Sequence, residues 1–284
     1  MTFLVFAIIF STSIFVTFRL FKTYSIDNHQ AITINYLVAA LIGYIISPVK
    51  PSFENIFQAA WLPFSIIVGL LFIIGFYLFA VSSQKAGVSL TAVASKMSII
   101  IPITVGILLY EESISALKLL GIVTAILSLY LTLKGDRKEK LVNKSVIILP
   151  ILLFFTSGTI DTSLKYAVNI HIEDDYMLYL STVFLFSLLF GLLISAFQKK
   201  RIKKINLQTI LGGVILGLIN FGTVYYMLRA MDQFESTTQF PIQNISIVVL
   251  SALVGFIGFK ERLKMINLFG IALSIVSIIL VSIF

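Results

Sequence analysis

The chain contains no cysteine among its 284 residues, and only 12% of them are charged. Without thiols there is neither a disulfide nor a thiolate metal site. The charged fraction lies far below the roughly 25% of a soluble domain. Histidine is almost as scarce: only His29 and His171 occur, both in connections, and neither belongs to a His-Glu-x-x-His zinc motif. There is no G-x-x-x-x-G-K-[ST] phosphate loop, and no connection exceeds about a dozen residues, so no ATP-hydrolysing domain is encoded. No cofactor is expected, and an enzyme would need clustered nucleophiles, bases or metal ligands that the sequence does not offer.

What fills the chain instead is apolar. Hydrophobic residues make up 58%, and the mean hydropathy is +1.03. Ten stretches are long enough to carry the roughly 20 apolar residues a helix needs to cross the hydrocarbon core. They fall near 3–20, 31–47, 60–83, 88–109, 116–134, 145–168, 176–197, 209–231, 237–259 and 265–284. Barrel strands would alternate apolar and polar residues, and these runs do not. The expected fold is all-α, a polytopic membrane protein. No basic residue precedes Phe3 and no small-x-small cleavage pattern follows, so the first span is expected to be retained rather than removed as a signal peptide.

The charges stand between the spans. Of the 21 Lys and Arg residues, sixteen lie in the odd-numbered connections and four in the even-numbered ones, leaving only Lys96 inside a span. By the positive-inside rule the odd-numbered connections are cytoplasmic, and both termini lie outside. The basic runs 137–144 and 199–204 then read as topology signals beside anionic lipid, not as a nucleic-acid surface.

The second half repeats the first. Sliding residues 76–133 onto 225–282 without gaps superimposes Tyr77 on Tyr226, Gln84 on Gln233, Gly106 on Gly255, Glu112 on Glu261 and Gly121 on Gly270. An odd number of spans per half forces the halves into opposite orientations, a common build of secondary transporters. The expected units are a first five-helix repeat at 1–135, a basic cytoplasmic linker at 136–144 and a second repeat at 145–284. Gly106, Gly121, Gly255 and Gly270 would mark equivalent packing seams, because lipid supplies no hydrophobic force and close backbone approach must replace it. Gly213 and Gly217 add a small-xxx-small face to span eight. Glu112 and Glu261 precede the last span of each half. There a carboxylate complements the N-terminal dipole of the helix that follows and fixes the turn into it; proton coupling is the alternative.

Each half thus ends with a glycine-bearing span, a Glu turn, and a helix opening Leu119-Leu120-Gly121-Ile122 or Leu268-Phe269-Gly270-Ile271. Over nearly its whole length the chain resembles the EamA-like branch of the drug/metabolite transporter superfamily. That resemblance implies ten helices in two inverted repeats, alternating access, and a mid-membrane cavity lined by spans three, four, eight and nine with help from one and six. It also implies a small polar metabolite as cargo, with export of amino acids the leading expectation and uptake of a sugar or another solute the alternative. The inner (plasma) membrane is the expected location, with a monomer or homodimer as the assembly. A non-transporting membrane enzyme or structural subunit is the alternative from outside the class. The pattern departs in two respects: Pro102 in span four is matched by Ser251, and the second half carries Pro241 instead; and the charge count puts the termini outside, whereas members of this superfamily are often drawn with them inside.

Polar groups inside spans are costly against lipid and should turn inward. Lys96 would sit about 12 Å into span four, free to bind a carboxylate or phosphate, to titrate, or to serve as a structural or snorkelling lysine. Asp161 shares a face of span six with Ser157 and Lys165 and is a plausible proton acceptor, which makes protons the candidate coupling ion. Helical rise from opposite ends separates Lys96 and Asp161 by about 12 Å in depth, against direct contact. Gln239, Gln243 and Asn244 surround Pro241, while Asn220, Tyr225 and Tyr226 stand in span eight and Tyr77 in span three. Ser13 opens a small polar face in span one, although such hydroxyls usually bond their own helix.

Overall fold

The computed structural model describes residues 2–50, 52–102, 104–105, 115–133, 144–171, 176–197, 205–231 and 236–283, and within them every regular element is a helix. The order is α1 (Thr2–Thr23), α2 (Asn28–Ile46), the short α3 (Phe53–Phe57), α4 (Leu62–Lys85), α5 (Val88–Met97), α6 (Ala116–Leu133), α7 (Lys144–His171), α8 (Tyr176–Phe197), α9 (Leu207–Met231), α10 (Ser236–Gly258) and α11 (Met265–Ile283). Five of these, α1, α2, α4, α8 and α9, are long and apolar enough to cross a membrane outright, and the remaining spans carry shorter apolar helices such as Leu119–Thr132 and Ile242–Gly258. Their outward residues are apolar too: Val123, Ile126, Phe155, Phe256 and Ile257 are all exposed. A surface of that kind is stable only against lipid. The chain is an all-α, multi-pass membrane protein.

Helix pairing follows a reciprocal pattern. α1 packs on α9 and α7 on α4; α1 on α10 and α7 on α5; α2 on α9 and α8 on α4. Between these, α2 meets α8, α5 meets α10, and α6 meets α11. The largest buried cluster lies where α1, α2, α4, α8 and α9 converge, around Phe18, Tyr36, Phe76 and Phe184.

Glycine makes the closest seams possible. A Cβ on Gly213 or Gly217 of α9 would stand 2.8 Å from the Ala31 carbonyl or 2.9 Å from that of Asn35, both on α2. Gly69 of α4 meets the Val183 carbonyl of α8 at 3.0 Å in the same sense, and the Ser187 hydroxyl donates to the Gly69 carbonyl across that seam. Between α11 and α6, a Cβ on Gly270 would lie 2.6 Å from the Thr132 nitrogen. There the Asn267 amide donates to the Thr132 carbonyl at 2.8 Å, and the Ser277 hydroxyl donates to the Gly121 carbonyl at 2.8 Å. Gly106 lies outside the described residues.

Helix ends obey ordinary capping chemistry. The Asp27 carboxylate accepts the Gln30 N–H at 3.1 Å and caps α2. Asp27→Ala should therefore cost about 0.5–2 kcal/mol, visible as a lower unfolding temperature in detergent with no change in oligomeric state.

Span four does not run straight. α5 stops at Met97, and the chain turns through Ser98 and Ile99 before helical backbone resumes. Pro102 explains the break, since it has no N–H to give the Ser98 carbonyl and its ring would collide with that carbonyl. The Ile101 N–H bonds the Ser98 carbonyl instead, at 2.9 Å, in a tighter turn. By contrast α10 continues through Pro241 to Gly258. The two fourth spans of the proposed halves therefore bend differently, as Pro102 against Ser251 suggests.

Candidate functional site

The break in span four sets the site. Lys96 occupies the last turn of α5, where the unpaired carbonyls at a helix C-terminus favour a cation. It is half-buried. α7 packs against α5 along Gly158, where any Cβ would collide with the Ile101 side chain, so glycine lets α7 approach the broken segment. One helical turn beyond Gly158 on the same helix stands Asp161, exposed on α7 and within electrostatic range of Lys96. α7 is 28 residues long, about 42 Å at helical rise, so it exceeds the membrane thickness and its ends are poor depth markers. Lys165, the expected partner of Asp161 on its own helix, has its side chain outside the described residues.

Buried polar atoms without partners are scattered through the described residues, including on helices that pack against α5. The Ser157 hydroxyl, one turn before Asp161, is buried and unpartnered among the described residues, as are the Gln243 carbonyl oxygen on α10 and the Thr12 hydroxyl on α1. Buried polar atoms are costly unless a partner arrives. Asn244 is half-buried beside Gln243, and the Gln239 side chain lies outside the described residues. Asn220 is buried on α9.

The tyrosines do not join the pair. Tyr77 is half exposed on α4. Tyr226, its counterpart in the repeat register, packs among Phe3, Phe6 and Phe10 of α1, with centroid distances of 6.4, 5.1 and 5.2 Å. Tyr225 stacks on Phe221 and lies under the Arg229 guanidinium at 5.6 Å. The Ser13 hydroxyl donates to the Ile9 carbonyl at 2.7 Å, spending its hydrogen on its own helix.

At the membrane face where α1 and α4 end and α5 begins, a second polar cluster closes the bundle. Its residues belong to the basic, odd-numbered connections, and we call it the basic face. Arg19 donates to the carbonyls of Ser83 at 3.1 Å and Gln84 at 2.6 Å, tying α1 to the C-terminus of α4, and its guanidinium lies 5.8 Å over the Phe259 ring. The Gln84 amide donates in turn to the Phe18 carbonyl at 2.9 Å and to Asn28 at 2.8 Å. Sequence reasoning overlooked Arg19 and Asn28, and the coincidence of Gln84 with Gln233 was the only signal pointing there.

Glu261 supplies the main correction. Sequence reading assigns it to the turn into α11, but its carboxylate accepts the Val88 N–H at 2.5 Å, the Ser89 N–H at 3.2 Å and the Ser89 hydroxyl at 2.8 Å, all at the start of α5. The turn into α11 is capped instead by Asn267, whose carbonyl oxygen accepts the Lys264 N–H at 3.0 Å. Two glycines make room for the carboxylate: a Cβ on Gly87 would approach it at 2.6 Å, and one on Gly255 would overlap it. Gly87 also has φ +100, which glycine alone adopts easily. On the other side, Lys260 takes φ 51 to present Glu261, a conformation that costs a non-glycine residue of the order of 1–3 kcal/mol and persists only where neighbouring contacts hold it. Glu112 lies outside the described residues.

Comparison with known proteins agrees with this architecture. Over 284 aligned residues, 97% of this chain and 95% of the relative, the sequence is 28% identical to a protein of Haemophilus influenzae (strain ATCC 51907 / DSM 11121 / KW20 / Rd) described as an uncharacterized protein. The second half of this membrane-spanning helical bundle, residues 144–283, is a match to the EamA-like transporter family.

Proposed function

We propose that the protein is a secondary transporter of small polar metabolites such as amino acids, exporting them across the inner (plasma) membrane by alternating access between inverted repeats 1–135 and 145–284. The observation that carries this reading is the Lys96–Asp161 pair beside the break in span four. Broken helices near mid-membrane are where carriers bind cargo, because freed backbone groups and helix ends there recognise ions. An ammonium and a carboxylate on facing helices offer both charges that a zwitterion needs, its carboxylate to Lys96 and its ammonium to Asp161. Ser157, Gln243 and Asn244 add neutral hydrogen-bonding groups.

The reciprocal helix pairing supports the inverted repeats: exchanging each helix for its counterpart five spans away maps α1–α9 onto α7–α4 and α1–α10 onto α7–α5. With no phosphate-loop motif in the sequence, the proposed transport is gradient-driven or facilitative. Asp161 is the group placed to carry a coupling proton. Uptake of a sugar or other solute is the alternative within the class.

Purified protein in liposomes tests the proposal. We expect labelled amino acids to exchange across the bilayer, and a pH gradient to accelerate net flux. Folded protein that moves no amino acid under either condition would refute the substrate assignment.

A further inference from the structure

Two spans from opposite halves of the sequence are joined at the basic face by one carboxylate. Glu261 belongs to the connection between α10 and α11, yet its carboxylate accepts hydrogen bonds from the start of α5. The first N–H groups of a helix have no partner within it, so a carboxylate there gains two charge-assisted bonds at once. Gly87 and Gly255 lack the Cβ atoms that would exclude it.

Within the first half, α1 packs on both α4 and α5, and Arg19 on α1 donates to the Ser83 and Gln84 carbonyls at the end of α4. The loop carrying Glu261 thus joins a face already tied together by α1, α4 and α5.

We propose that Glu261 is a latch: its carboxylate, bound across the halves to Val88 and Ser89, holds the carrier shut at the basic face, and each transport cycle breaks and remakes these bonds. The inference rests on the carrier reading but not on the identity of the cargo. Glu261→Gln keeps the size of the side chain, removes its charge, and turns an NH2 group toward N–H donors. Ser89→Ala removes only the hydroxyl donor.

The absence of native cysteine makes the test clean. Spin labels are attached to Lys85→Cys at the end of α4 and Met265→Cys at the start of α11, both exposed, and their separation is measured by pulsed electron resonance in lipid nanodiscs. Hydrogen bonds to a charged group are worth about tenfold or more in an equilibrium. Glu261→Gln should thus raise the ratio of long- to short-distance populations by at least about tenfold, and Ser89→Ala by less. In a second chain whose only cysteine is Ser157→Cys, Glu261→Gln should speed labelling by a membrane-impermeant maleimide applied to the basic face.

Unchanged distances in folded Glu261→Gln protein would overturn the latch. So would a distance shift without faster labelling, which would reduce Glu261 to a local cap. Should Glu261→Gln not fold, Ser89→Ala decides by the same two readouts. Neither measurement uses a substrate, so protein that shows both shifts but transports no amino acid retains the latch and loses the cargo assignment.

Discussion

Lys96→Ala is expected to abolish most transport while leaving the helical bundle intact. A hydrogen bond from cargo to a charged group is worth about 1.5–3 kcal/mol. On a step that depends on Lys96, that amounts to a loss of roughly tenfold to over a hundredfold in initial rate. Asp161→Asn should lose a similar factor and also flatten the response to a pH gradient, since it removes the proposed proton acceptor. The double variant Lys96→Met/Asp161→Leu separates function from support. Replacing both members of an ion pair by apolar groups of similar volume is often neutral or stabilising, so its thermal stability should recover while its flux does not. Initial rates in liposomes, read beside unfolding temperatures, check this; recovery of transport in the double variant would make the pair merely structural.

The second large effect concerns folding. Gly270→Val should prevent a stable bundle from forming, because its Cβ would meet the Thr132 nitrogen at 2.6 Å and the Ser128 carbonyl at 3.0 Å, and backbone atoms cannot rotate away. Overpacking of this kind costs about 1–3 kcal/mol where a neighbour yields, and more where it does not. The Asn267 bond to Thr132 and the Ser277 bond to Gly121 would stretch with the widened seam. Yield of monodisperse protein in mild detergent is the readout. Gly258→Val is the matched control, since its nearest neighbour lies at 3.7 Å and leaves room.

Most of the helix layout was legible in the chain. A span announces itself by its own hydropathy, so nine of the ten apolar runs reappear as helices with ends shifted by a few residues, while the run at 88–109 opens as the shorter α5. Gly213 and Gly217 were readable as one face because their spacing of four is a local property of a single helix, and α2 rests on that face. Pro102 likewise marked the bend in span four through its missing N–H.

The site was less legible. Lys96 and Asp161 were recognisable singly as charges within apolar runs, but the length of α7 and the break after α5 make span ends a poor common ruler for their depth. Tyr77 and Tyr226 share a register in sequence and differ in surroundings, one turned outward and the other set among phenylalanines. Residue type alone does not say which way a span is rotated.

From sequence alone came the membrane class, the number of spans and the residues too polar to face lipid, since each follows from the cost of transferring a side chain or peptide group into hydrocarbon. Tertiary structure decided which of those residues meet. Glu261 serves the start of α5, some 170 positions away, rather than the adjacent α11, because a carboxylate goes to the nearest unpaired N–H groups in space. Nearness between helices is set by crossing geometry and glycine seams, and no pattern confined to one helix contains it.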